Sequence, residues 1–417
     1  MNIGFVGLGK LGLPVALAVE AKGHKVCGYD ISDNVKSIID AKKIPYKEIW
    51  AQEHLDKSNI DFVSIKDVVK RSDIIFVPIQ TPHDPLYEGT TKIPQERVDF
   101  NYDYLISGMK ALSEEIESQK QSKIVIIIST VLPGTIRRDI MPLLGKYTKL
   151  CYNPFFIAMG TTMQDFMFPE FVLFGVDDQE AAEVAEKFYK TIHKSPFFKT
   201  TIENAELIKV TYNTYISTKI GFINTVMEMC HHLPNTNVDD VTNGLRLATR
   251  RIISDAYMTG GMGDGGGCHP RDNIALSWLA KKLNISSDWF ENIMMQREKQ
   301  SEWLRDLILD NLVDNNIYIL GKSFKPETNI LTGSPSILLL NLLKEKEKEK
   351  QLNLVAFDPF VDDQEPEFKK GTYFIGTKHE TFKDFNFPEG SIILDPFRYV
   401  VNKNNNVKLI SIGNNVS

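Results

Sequence analysis

The segment Gly260–Asp272, GGMGDGGGCHPRD, holds six glycines among thirteen residues, and it carries a thiol, Cys268, with a carboxylate, Asp272, four positions further on. A glycine run admits positive φ and lets the backbone approach a ligand closely, at a cost in conformational entropy. Cys268 reads either as a nucleophile, acting as the thiolate, or as a small buried apolar residue, where free cysteine is commonly found. The surrounding glycines favour the nucleophile, provided the chain supplies a substrate and a second reactant. Lys209 and Asn213 form a second constellation. They stand four apart, one turn apart on one face if the segment is helical, with Glu206 on the same side. Lys209 is flanked by Leu207, Ile208 and Val210. A lysine in such partly apolar surroundings suits orienting a substrate oxygen or stabilising developing negative charge. The competing reading is a solvated charged face, and spacing alone leaves both open. Lys325 and Arg398 are candidates for an anionic ligand; each also reads as an ordinary surface cation.

These groups need elements to position them. Asn2–Val6 reads as a short buried strand that leads into Gly7-Leu8-Gly9-Lys10-Leu11-Gly12. Leu13–Lys22 predicts a helix stopped at Gly23, and Lys25–Tyr29 a second strand ending on Asp30. This is the order of a Rossmann βαβ unit. Gly7 permits the tight turn, Gly9 a close approach to pyrophosphate, Gly12 helix–strand packing, and the helix N-terminus offers unpaired N–H groups to the phosphates. Asp30 accepts from both ribose hydroxyls and repels a 2′-phosphate, which points to NAD over NADP. Asp73–Pro78 and Lys123–Ser129 predict buried parallel strands. The loops after them carry Thr81 and Thr130, which read equally as cofactor or substrate contacts and as caps of the next helices. His83–Asn101, with Pro85, Gly89 and Pro94, predicts an excursion over the surface. Asn204–His232 predicts one long helix. Beyond Cys268, Asn273–Lys282 and Trp289–Leu312 predict helices. Ile317–Gly321, Leu352–Phe357, Ser391–Leu394 and Val407–Ile412 predict the strands of a second α/β series. Ser334 and Pro335 open a helix there, and Lys344–Lys350 is its solvated end.

A chain of 417 residues exceeds what one core usually serves, so two or three domains are expected. The fold class is α/β, with two Rossmann-like parallel-sheet domains joined by a long central helix. A net charge of −6 argues against a nucleic-acid partner. The N-terminus enters a strand with no basic region ahead of an apolar core, which is unlike a signal peptide. No apolar stretch is long enough to span a bilayer, so no membrane partner is expected. Cys27, Cys151, Cys230 and Cys268 are scattered without CxxC spacing. That pattern suits reduced thiols in a cytoplasmic enzyme, with neither a disulfide framework nor a metal site.

Seven motifs stand in order: GLGKLG with Asp30, STVLPGT (Ser129–Thr135), NPFFIAMGT (Asn153–Thr161), AELIKVTYNTYISTKIGFIN (Ala205–Asn224), GDGGGCHPRD, GKSFKP, and FDPFV (Phe357–Val361). Together they closely resemble the UDP-glucose/GDP-mannose dehydrogenase family of nucleotide-sugar 6-dehydrogenases over nearly the whole chain. Lys209-x-x-x-Asn213 alone also fits simple β-hydroxyacid dehydrogenases, and the cysteine loop and C-terminal half separate the two. The resemblance implies an NAD-binding domain over residues 1–200, a central helical region for dimerisation and catalysis over 201–304, and a nucleotide-sugar-binding domain over 305–417. It implies oxidation of the C6 hydroxyl of a nucleotide sugar, a UDP-sugar resembling UDP-glucose, to the uronate at the expense of two NAD. Lys209 and Asn213 would handle the alkoxide. Cys268 would form a thiohemiacetal and then a thioester, with Asp272 assisting proton transfer and Thr130 positioning water. Leu11 would join Gly7, Gly9, Gly12, Asp30, Thr81 and Thr130 around the cofactor. Phe156, Ile157, Gly265, Lys325 and Arg398 would join Lys209 and Asn213 around the substrate. A homodimer built on the long helix is implied as well.

The chain departs from the family's pattern at several points. The family usually reads NPEFLxEG where this chain has Asn153–Gly160, so Phe155 and Met159 stand in place of two glutamates. The first of these glutamates is generally given to acid–base work, so thioester hydrolysis is the step affected. The enzyme would then release uronate slowly, stop at the aldehyde or acyl-enzyme, act on a different sugar, or serve as a silent nucleotide-sugar-binding paralogue. Asp264 replaces the aromatic usual in the glycine loop, Gly267 the serine before the cysteine, and Thr332 the arginine often found after FKP.

Overall fold

The computed structural model describes residues 1–82, 84–92, 94–249, 254, 256–257, 259–282 and 288–414. They form two compact units, Met1–Pro82 with Phe100–Thr211, and His83–Asp99 with Tyr212–Ser417. Helix Ile202–His232 begins in the first unit and ends in the second.

Among the described residues, the first unit holds an eight-stranded sheet built from β1 (Asn2–Val6), β2 (Lys25–Tyr29), β3 (Asp61–Phe62), β4 (Ile74–Val77), β5 (Lys123–Ile127), β6 (Thr148–Tyr152), β7 (Val172–Val176) and β8 (Phe197–Thr200). Their order is β3-β2-β1-β4-β5-β6-β7-β8. The strands around β1 are buried on both faces, which explains their unbroken runs of Ile, Val and Phe. Phe5 stacks on Phe76 at 5.3 Å between ring centroids. Helix Gly12–Ala21 buries Gly12 through Val19, so it is apolar on every side, as a helix enclosed by neighbours must be. Each fully buried Val or Leu there contributes about 1.5–3 kcal/mol. One pair departs from the all-parallel expectation, because β6 and β7 run antiparallel. The crossover between them holds only the short helix Thr162–Met167.

The second unit's sheet contains β9 (Asn316–Leu320), β10 (Asn353–Phe357), β11 (Thr372–Ile375), β12 (Ile392–Asp395) and β13 (Lys408–Ser411), all parallel, in the order β10-β9-β11-β12-β13. Helix Pro335–Lys350 is capped by the Ser334 hydroxyl, which accepts from the Ile337 N–H, with Pro335 at its first position as expected. The excursion after β4 leaves the first unit. Residues 84–92 and 94–99 group with the second unit, with Asp84, Pro85, Leu86, Thr91, Lys92, Gln95 and Glu96 exposed as an excursion over the surface has them, and with anchors at a few positions. Tyr87 is buried with Ile274, Ile293 and Met294. Arg97 pairs with Glu291, Asn341 Nδ2 donates to the Thr90 carbonyl at 2.7 Å, and Arg297 Nη1 donates to the Gly89 carbonyl at 2.9 Å.

Candidate active site

In the first unit, β1 delivers the chain to Gly7 at φ +111°, a backbone state open to glycine. A Cβ on Gly12 would lie 2.3 Å from the Gly7 carbonyl oxygen, so helix and turn touch through bare backbone. A Cβ on Gly9 would meet nothing within 4 Å. No side chain caps the helix at Leu11, and its first turn carries no acidic residue. Open space before an uncapped helix N-terminus is what a pyrophosphate requires. Asp30 accepts from the Leu8 N–H (2.7 Å) and the Ser32 N–H (2.9 Å), which fixes its carboxylate at the mouth of the turn. Leu11 packs against the core. These residues fit NAD.

Thr81 and Thr130 meet one another. The buried Thr81 hydroxyl donates to the Thr130 carbonyl at 2.7 Å. Its bond joins the loops after β4 and β5. The Tyr152 hydroxyl holds the same loop through the Ser129 carbonyl at 3.1 Å.

The long helix turns a buried polar stripe inward, which overturns the solvated-face reading. Glu206, Lys209, Asn213, Ser217 and Asn224 are all buried, at spacings of three, four, four and seven that keep one face. Glu206 is 0% exposed and accepts from the Gly134 N–H (2.6 Å) and the Ile136 N–H (2.8 Å). Burial pushes its carboxyl up to about 7, against the pull of those two N–H groups. The Lys209 ammonium lies 5.3 Å from the centroid of the Phe156 ring, which itself packs on Phe171 at 4.8 Å. Phe155 faces Phe166 at 5.5 Å, and Ile157 also packs against the core. Phe156 is thus the aromatic residue beside Lys209, and Phe155 lines, with Asn153, Phe166, Phe171 and Tyr189, a largely apolar pocket.

In the second unit, Cys268 is the first residue of helix Cys268–Lys282 and is exposed, whereas Cys27, Cys151 and Cys230 are buried. Asp272, one turn on, is fully buried, accepting from Asn213 Nδ2 at 2.5 Å and from Arg271 Nε at 3.0 Å. His269 Nδ1 lies 2.8 Å from the Ser217 hydroxyl, and Asn273 Nδ2 donates to the same oxygen at 3.3 Å. Two turns of the long helix therefore clamp the opening turns of the cysteine helix. Further along, Asn224 accepts from the Gly261 N–H (3.0 Å) and donates to the Met262 carbonyl (3.1 Å), holding the glycine run at its start.

The glycines are packed against protein. A Cβ on Gly265 would sit 3.0 Å from Phe324, one on Gly266 (φ +82°) 3.1 Å from the same ring, and one on Gly333 2.2 Å from the Gly266 carbonyl. Asp264 forms a buried ion pair with Arg297 (Nε to Oδ1, 2.9 Å), and Arg297 also donates to the Gly333 carbonyl at 3.0 Å.

The loop of Lys325 is tied from below. Asp358 accepts from the Lys322 and Ser323 N–H groups at 2.7 and 2.8 Å, and His379 Nε2 lies 3.1 Å from it. Burial would push the Asp358 carboxyl up, yet His379 and the backbone donors hold it below the usual range. The Lys325 ammonium lies 5.6 Å from the Phe324 ring centroid, and Lys322 pairs with Asp362 at 2.5 Å. Arg398 is committed internally. Its guanidinium pairs with Asp239 (2.8 Å) and donates to the Ile412 and Gly260 carbonyls, leaving its side chain 3% exposed.

Sequence reasoning did not single out Ser217, Asn224, Arg297, Asp358 or His379. The first two were within reach, as polar residues recurring at helical spacing from Asn213. The others depend on partners distant in sequence.

A doubly wound sheet in the order β3-β2-β1-β4-β5-β6, with a glycine turn and an acid after β2, defines a dinucleotide-binding domain. The chain belongs to the UDP-glucose/GDP-mannose dehydrogenase family: the family's NAD-binding domain matches residues 1–193 and its central domain residues 203–297. It is similar to a UDP-glucose 6-dehydrogenase of Rickettsia conorii, 28% identical, with 86% of this chain and 81% of the relative covered. Among solved structures it is similar to a UDP-glucose dehydrogenase from Pyrobaculum islandicum (TM-score 0.85, 22% identity, 99% and 98% covered). It is also similar to a UDP-D-ManNAc dehydrogenase from Pyrococcus horikoshii (TM-score 0.82, 21% identity, both chains fully covered). The chain is an NAD-dependent nucleotide-sugar 6-dehydrogenase. Among the described residues, no helix is long and apolar enough to cross a membrane.

Proposed function

We propose that this chain oxidises the C6 primary alcohol of a UDP-sugar resembling UDP-glucose to the uronate, with Cys268 as the covalent nucleophile. The observation that carries the reading is the 2.5 Å bond from Asn213 to the buried Asp272, one turn after the exposed Cys268 on the same helix. It fixes a carboxylate beside a thiol that is free to react.

NAD bound by the Gly7–Gly12 turn and Asp30 would supply the acceptor for one hydride from C6, and a second NAD, exchanged into the same site, the acceptor for the other. Lys209 and Asn213 stabilise the C6 oxygen as it gives up its proton and gains negative charge. The Cys268 sulfur adds to the aldehyde carbon, and the oxygen takes a proton to complete the thiohemiacetal. Loss of the second hydride and of the hydroxyl proton gives the thioester. Water then adds, the C–S bond breaks, and the sulfur regains a proton as the carboxylate leaves. Asp272 serves the proton transfers, Thr130 holds the water, and Lys325 contacts the substrate. Phe156, Ile157 and Gly265 shape its pocket.

The supporting division is NAD binding over 1–200, catalysis and dimerisation over 201–304, and nucleotide-sugar binding over 305–417. The working unit is a homodimer, supported by Tyr215 (55% exposed) and Phe222 (59% exposed), seven apart on the long helix. Cysteines without disulfides among the described residues suit a cytoplasmic setting.

The test is NADH production across a panel of UDP- and GDP-sugars, repeated with Cys268→Ser. The variant is expected to release no uronate and to accumulate at most an ester on the new hydroxyl, because an alkoxide leaves far less readily than a thiolate. Intact-mass spectrometry would detect that adduct. Unimpaired uronate release by the variant would remove Cys268 from the mechanism.

A further inference from the structure

Glu206 is a fully buried carboxylate that the mechanism above does not use. Its two oxygens each accept one backbone N–H, from Gly134 and from Ile136, at 2.6 and 2.8 Å. Those amides belong to the segment Ser129–Ile136, whose earlier part carries Thr130. The segment is held elsewhere by Thr81 and Tyr152, as described, and by the Tyr102 hydroxyl, which accepts from the Leu132 N–H at 3.2 Å. On its own helix, Glu206 stands three residues before Lys209, whose side chain is buried on the same face. One carboxylate thus joins the helical turn that presents the lysine to the loop that presents the threonine.

We propose that Glu206 is a positioning residue for the dehydrogenase reaction, acting as an ionised clamp that sets the Thr130 loop against the turn of helix carrying Lys209. The inference rests on the roles proposed above for Thr130 and Lys209. Both donors need an acceptor at once, and only the carboxylate offers two full acceptors. A neutral carboxyl turns one oxygen into a hydroxyl and weakens one bond. The charged groups around it are few. Glu203 lies one turn earlier on the helix and Lys209 one turn later. Arg137 of the adjoining segment is engaged by Glu203 and Asp177. The carboxyl titrates near 7, so the clamp loosens as the pH falls through that value.

The test is Glu206→Gln, compared with wild type. The amide keeps the shape but turns an NH2 towards one of the two N–H groups. The variant is expected to lose about tenfold in kcat with KM for NAD changed less than threefold. Wild-type kcat should fall as the pH is lowered from 8 to 6, and the variant's should stay at its low level across that range. Hydrogen exchange of amides 130–136 should be faster in the variant. A kcat within twofold of wild type, or a variant that keeps the wild-type fall below pH 7, would overturn the proposal. If the variant does not fold, wild-type protein alone decides. Exchange at 134 and 136, corrected for the intrinsic pH dependence, should lose protection below pH 7, and unchanged protection would overturn the clamp. A wild-type protein that yields NADH with no nucleotide sugar would sink the activity reading instead. The exchange measurement would still judge the clamp by itself.

Discussion

At the scale of single residues, two of the departures from the family's pattern, Asp264 and Phe155, have different physical accounts. Asp264 is one half of a buried pair with Arg297, which also ties Gly89 and Gly333. Truncating either partner leaves the other charge buried and unpaired, which typically costs about 3–5 kcal/mol. Phe155, where the resemblance implies a glutamate, faces Phe166 and lines a largely apolar pocket. No carboxylate stands at this position to activate water, so hydrolysis of the acyl-enzyme is expected to limit turnover. Rapid mixing should then show a burst of NADH followed by a slower steady phase. Phe155→Glu should quicken the slow phase more than the burst, because the added carboxylate serves the hydrolytic step. It should lower stability by roughly 2–5 kcal/mol, from lost aromatic packing and an unpaired polar group. A linear trace in wild type, or a variant whose slow phase is no faster, would reverse this account.

At the scale of elements, the buried stripe on the long helix has a consequence for pH. The Glu206 carboxyl is raised above its unfolded value, so the folded protein holds that proton more tightly than the unfolded chain. Its contribution to stability is therefore present in full below about 4.5 and is lost as the pH rises through about 7. The loss is on the order of 3 kcal/mol at most. Denaturant melts between pH 4.5 and 8 should show that decline, and Glu206→Gln should flatten it; parallel curves for the two proteins would rule it out. Elements with long unbroken patterns were legible in the residues. β1, β2, β4, β5, the long helix and the four called strands of the second sheet lie within one or two positions of where the patterning puts them. β3, β6, β7, β8 and β11 were not legible in the same way, and length alone does not account for β11, since Thr372–Ile375 is no shorter than β12 or β13. The polar face of the long helix was legible as spacing. Its burial was not, because burial depends on partners such as Gly134, Gly261 and Asp272 that lie far away in sequence.

At the scale of the whole molecule, Tyr215 and Phe222 leave two large apolar side chains exposed on one face of the helix. A second copy of the chain is the proposed cover. Replacing both with aspartate should shift the protein from dimer to monomer in sedimentation at micromolar concentration, with little change in the circular dichroism of the subunit. A wild-type protein that sediments as a monomer under the same conditions would remove this face from any role in assembly.

The placement of residues 84–92 and 94–99 in the second unit also bears on how the chain is made. Ribosomes deliver the N-terminal strands first, but Tyr87 and Arg97 find their partners at Ile274, Glu291 and Met294, about 200 residues later. At roughly 5–20 residues per second, that delay is about 10–40 s. During it the first sheet can assemble while this strap waits with an aromatic ring and a guanidinium still in solvent. A chaperone that binds nascent chains would find its target there, and a chain cut between the two units would leave the strap permanently without its seat.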